Sequence, residues 1–105
     1  MNTEYRIEHH GDTVLFICGS DEYELTSHPY EPCLYINQNG QMIHILHNAF
    51  DAYNLPDIFD AGNTVRGING KEYDKEAFCK VLIATIKSGR YEMDWPFAAG
   101  LVKEG

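Results

Sequence analysis

The chain has 105 residues, 44% of them apolar and 23% charged. That length is one domain's worth, 1–105, with a modest core, and seven Tyr, five Phe and one Trp exclude a chain too polar to fold. The net charge is −8, and residues 1–60 hold ten carboxylates against the single cation Arg6, while residues 61–105 hold six acids and seven bases. So anionic a surface excludes direct nucleic-acid binding from the expected roles, because phosphates need a basic surface.

The first residues show neither a basic start nor an apolar stretch, no apolar run approaches the length of a membrane span, and no lipidation motif is present. Cytosolic residence is the expectation. Cys18, Cys33 and Cys79 are odd in number and form no C-x-x-C pair, which suits reduced, buried thiols.

Taken in chain order, Tyr5 to His9 alternates apolar and polar residues, and so does Tyr23 to Ser27. Between them Val14 to Cys18 is apolar throughout, the pattern of a central strand covered on both faces. Gly11-Asp12 fits a two-residue turn and Gly19 to Glu22 a four-residue loop. These connections set Ile7 opposite Phe16, Tyr5 opposite Cys18, Phe16 opposite Leu25 and Cys18 opposite Tyr23. All then share one apolar face with Val14. The other face carries Arg6, Glu8, Glu24 and Thr26 around Leu15 and Ile17.

His28 to Pro32 contains two prolines and reads as a crossing loop. Cys33 to Gln38 and Gln41 to His47 flank Asn39-Gly40, a preferred type I′ hairpin pair. That register places Ile36 opposite Ile43 and Leu34 opposite Ile45 on one face, with Tyr35 opposite His44 and Cys33 opposite Leu46 on the reverse. Asn48 to Asp51 resembles a helix start capped by Asn48, and Pro56 either ends that helix or opens another turn. Asp60 to Gly70 is expected to be irregular, with a short strand near Thr64 to Ile68.

The clearest helix spans Lys75 to Ser88. Asp74 caps it, Tyr73 and Phe78 stand at the staple positions, and Gly89 stands where a left-handed cap belongs. Phe78, Cys79, Leu82, Ile83 and Ile86 form the expected buried stripe, with Lys80, Ala84 and Lys87 toward water. The segment from Arg90 begins with aromatic residues (Tyr91, Trp95, Phe97) and suits an edge strand followed by a loose end. The fold class is α+β: an antiparallel meander with hairpins, four or more strands, and one main helix in the C-terminal half packed on a sheet face.

Motifs for chemistry are absent from the spacing. His9 and His10 point to opposite faces of a strand, as do His44 and His47. No Cys/His ligand spacing occurs, so neither a metal nor a cofactor is expected. The hairpin register holds Cys33 and His44 diagonally, about 7–8 Å apart between Cα atoms, too far for a thiol–imidazole pair. Gly62 to Lys71 lacks the spacer and the Ser/Thr of a phosphate loop.

What remains is charge beside aromatic residues, including Tyr30. Asp21, Glu22, Glu24, Asp51, Tyr53, Asp57, Phe59 and Asp60 are the candidate partner-binding residues. Aromatics among carboxylates suit a protein partner. The expectation is an acidic inhibitor, immunity-protein-like or DNA-mimic-like, that masks the site of a cationic partner such as a toxin nuclease or another nucleic-acid-binding protein. It would act as a monomer or homodimer, away from membranes and without touching nucleic acid. The alternatives are a small enzyme or ligand-binding domain with a pocket around His44, Tyr35 and Cys33, and a homo-oligomeric structural domain.

Overall fold

The computed structural model describes residues 4–28, 30–31, 33–37, 42–46 and 52–89, and the backbone of 92–94. Five antiparallel strands run in chain order: β1 (Tyr5–His10), β2 (Thr13–Cys18), β3 (Asp21–Ser27), β4 (Cys33–Ile36) and β5 (Met42–His44). A 3-10 turn (Ala52–Asn54) leads into the short helix α1 (Leu55–Asp60). A small hairpin follows, β6 (Val65–Arg66) with β7 (Glu72–Tyr73), then the long helix α2 (Lys75–Ser88). Finally β8 (Glu92–Asp94) joins β5 in parallel, giving the sheet order β1-β2-β3-β4-β5-β8. A parallel neighbour requires a long crossover, and the segment holding α1, the small hairpin and α2 supplies it. β8 is the expected edge strand, whereas Tyr91, Trp95 and Phe97 lie outside the described residues.

The first pairing is as the pattern predicts, with Ile7 opposite Phe16 and Tyr5 opposite Cys18. The second is shifted by two residues. Phe16 faces Tyr23 and Val14 faces Leu25, because β3 begins at Asp21 and the loop is only Gly19-Ser20. Gly19 has φ +63°, a conformation that a tight hairpin needs and that glycine adopts without strain. The β4–β5 pairing shifts by two as well: Leu34 faces Ile43, Tyr35 faces Met42 and Cys33 faces His44. Neither shift changes which face a residue occupies, because side chains alternate with period two. The Asn39-Gly40 turn and the Asn48 to Asp51 helix start lie outside the described residues. Pro56 opens α1 rather than ending a helix.

One face of the sheet makes the core. Phe16, Leu34, Ile36 and Ile43 are fully buried there with Leu55 of α1 and Phe78 and Leu82 of α2. Tyr5 and Tyr23 stack on either side of Phe16 at 6.2 and 6.0 Å. Each large apolar side chain removed from water contributes about 1.5–3 kcal/mol.

α2 begins where Asp74 Oδ1 accepts from the Ala77 N–H at 2.9 Å, and it ends at Gly89, φ +72°. Its buried stripe is wider than expected. Val81 and Thr85 are buried with Phe78, Cys79 and Leu82, while Ile83, Ala84 and Ile86 are half-buried. Thr85 tolerates this site because its hydroxyl donates to the Val81 carbonyl at 2.9 Å. All three cysteines are free thiols, Cys33 and Cys79 buried but Cys18 only half-buried. No described helix is long and apolar enough to cross a membrane.

Candidate functional site

Strand alternation leaves the second face of the sheet without the helix. On it Glu8 and Glu24 flank Leu15, and Arg6 and Glu22 flank Ile17. The candidate partner-binding residues divide among three places. Glu22 and Glu24 lie on this outer face, and exposed Asp21 stands at the start of β3. Tyr53 and Asp57 meet His9 at the sheet end: the Tyr53 ring lies 4.5 Å from the imidazole, and Asp57 Oδ1 lies 3.6 Å from His9 Nε2. Asp60 is exposed at the end of α1.

Phe59 is a correction. It is only 9% exposed and packs on Phe78 at 5.5 Å. In α1 Leu55 and Phe59 are four apart and so share the inward side, while Asp57 and Asp60 point out. Asp51 lies outside the described residues.

Two of these groups come together at a cleft where β2 starts and β3 finishes. This open space of about 300 Å³ is lined by Asp12, Thr13, Glu24, Thr26, Ser27 and Tyr53 among others. Ser27 Oγ accepts from the Ala52 N–H at 2.6 Å, tying the 3-10 turn to the end of β3 and so setting Tyr53 at the rim. Glu24 Oε1 accepts from Asn37 Nδ2 at 2.6 Å, a neutral donor that orients the carboxylate and leaves its charge in place. Among the described residues no cation forms an ion pair with Asp12, Asp21, Glu22, Glu24 or Asp60. Asp12 was not a candidate in the sequence. As a turn residue it gave no signal, and only the fold sets it beside Glu24 and Tyr53.

A second cluster lies on the outer face of β4 and β5. Direct pairing of Cys33 with His44 brings Sγ within 3.6 Å of His44 Nδ1, where the sequence register holds the two apart. On its other side the Cys33 thiol donates to Glu31 Oε2, also at 3.6 Å. Glu31 is held there by the backbone. The Cys33 N–H donates to the Glu31 carbonyl at 2.7 Å, and the His28 N–H donates to the Cys33 carbonyl at 3.1 Å. His28 Nδ1 then accepts from the N–H groups of Tyr30 and Glu31, each at 3.1 Å, while its ring stacks on Tyr35 at 5.3 Å.

Burial pushes the Cys33 thiol pKa up, and the Glu31 hydrogen bond and charge raise it further. A catalytic cysteine needs the reverse, a thiolate stabilised by positive surroundings. Burial and Glu31 thus oppose thiolate formation at Cys33, even with His44 beside it. Tyr35 faces Met42 and Thr26, and it touches His28 rather than His44.

No protein-family model matches this chain, and no curated protein or solved structure matches it either.

Proposed function

We propose that this domain binds a cationic protein and neutralises it by masking its working surface, in the manner of an immunity protein or a nucleic-acid mimic acting on a toxin nuclease. The observation that carries this reading is the cleft. Its lining includes two acidic residues, Asp12 and Glu24, that form no ion pair among the described residues, and the half-exposed Tyr53. A lysine or arginine head group placed there gains two anionic neighbours and an aromatic contact. Glu22, Asp21, Asp57 and Asp60 would act at longer range, steering a basic surface toward the cleft. The reading places the domain in the cytosol, where its free thiols stay reduced.

The test is capture at low salt and at about 0.5 M salt, where screening shortens charge attraction to a few ångströms, followed by association kinetics with the captured protein. A single basic protein released by salt, and associating about tenfold more slowly with Asp12→Asn/Glu24→Gln, is the expected result. An association rate unchanged by that double substitution at low salt would sink the cleft as the docking point.

A further inference from the structure

We infer that Glu31, Cys33 and His44 form a binding site for one divalent transition-metal ion of the zinc class. The three donor atoms converge from two segments, Glu31 just before β4 with Cys33 at its start, and His44 at the end of β5, and lie within 4.8 Å of one another. Their spacing suits a metal. Zinc bonds of about 2.3 Å to sulfur and about 2.0–2.1 Å to nitrogen and oxygen, at a tetrahedral angle, require S···N and S···O separations of about 3.6 Å. Both sulfur distances here are 3.6 Å. The remaining His44–Glu31 edge closes by movement of Glu31, whose side chain is exposed and free to adjust.

Charge balance points the same way. Coordinated as thiolate, Cys33 releases its proton to the buffer, and the thiolate with the Glu31 carboxylate carries two negative charges. Two anions sharing a partly buried site repel each other, and a divalent cation neutralises both. The set of one thiolate, one imidazole and one carboxylate suits zinc rather than calcium or magnesium, which require oxygen ligands. Three protein ligands leave the fourth tetrahedral position to water or to an incoming group.

The loop that carries Glu31 is already organised. His28 Nδ1 receives two backbone N–H groups, including that of Glu31 itself, and the His28 N–H closes on the Cys33 carbonyl. His28 is thus a positioning residue, fixing the Glu31 backbone beside Cys33 without being a ligand. Outer partners of this kind are worth about 10–100-fold in metal affinity.

Cobalt(II) titration of the full, reduced chain tests the site, because cobalt reports thiolate ligation and tetrahedral geometry by absorbance. One equivalent is expected to produce a thiolate-to-cobalt charge-transfer band with intense visible bands, both abolished by zinc. Cys33→Ser should eliminate the charge-transfer band, whereas Cys18→Ser should leave it intact. Glu31→Gln, a change in an exposed side chain that leaves the core untouched, should weaken binding at least tenfold. His28→Ala should lower affinity without altering the spectrum. Absence of the band from the parent protein would overturn the proposal, as would a band that survives Cys33→Ser or an affinity unchanged by Glu31→Gln.

Discussion

Leu15 and Phe16 are neighbours on β2 and lead different lives. Phe16 is fully buried, with Tyr5 and Tyr23 stacked on it and the core of α2 in the same cluster. Leu15 is half-buried between Glu8 and Glu24. The same contrast runs along β4, where Leu34 belongs to the core, and Cys33 is buried outside it beside Glu31 and His44. One face of the sheet holds most of the stability. The other holds charge, thiol and imidazole around the buried Ile17 and Cys33, which stand outside the main core cluster. Alternation along each strand is what sends neighbouring residues to such different surroundings.

Substitutions that cross this division sharpen it. The largest effect is expected in the core: Phe78→Ala should cost about 3–5 kcal/mol, a large share of an ordinary domain's stability, read from denaturant unfolding. Next comes an alkaline effect from the same face. Burial pushes the Cys79 thiol up from 9.0 to about 12, with nearby Lys75 opposing. The folded chain therefore keeps this proton at a pH where the unfolded chain has lost it. The resulting stability is complete below about pH 9 and drains away as pH rises toward about 12. Subtracting the curve of Cys79→Ala from that of the parent protein should isolate this slope from the titration of Tyr5 and Tyr23. A parallel pair of curves would show that Cys79 ionises as freely folded as unfolded. The smallest effect belongs to the outer face. Glu22→Gln should change stability by no more than about 0.5 kcal/mol while slowing association with a basic partner. A loss comparable to that of Phe78→Ala would mean that the outer face is also structural.

The pattern of apolar residues was enough to sort side chains between the two faces. Tyr5, Ile7, Val14, Phe16 and Leu25 share the face that alternation predicts, and Asp74 and Gly89 bound α2 at the predicted residues. Thr85 could not be recognised as buried, because its burial depends on a hydrogen bond back to its own helix. Phe59 among aspartates resembles a surface residue until α1 is laid on the core, where it is buried with Leu55 and Pro56 while Asp57 and Asp60 stay exposed.

A slide of two residues in the β4–β5 pairing was invisible to the pattern, since it returns every side chain to its own face and leaves the core set unchanged. Yet that slide carries the chemistry: it replaces a diagonal relation between Cys33 and His44 with a contact at 3.6 Å. The sequence by itself determined parity, that is, which residues face the core and which face away. It did so because burial of apolar area is a sum over many residues and tolerates small shifts. Only the tertiary structure decided translation, and with it which outward groups meet, because a hydrogen bond or a metal bond is made within a few tenths of an ångström by particular atoms. For the same reason the acidic cleft, assembled from a turn, the end of a strand and a 3-10 turn, existed nowhere in the chain until those three were brought together.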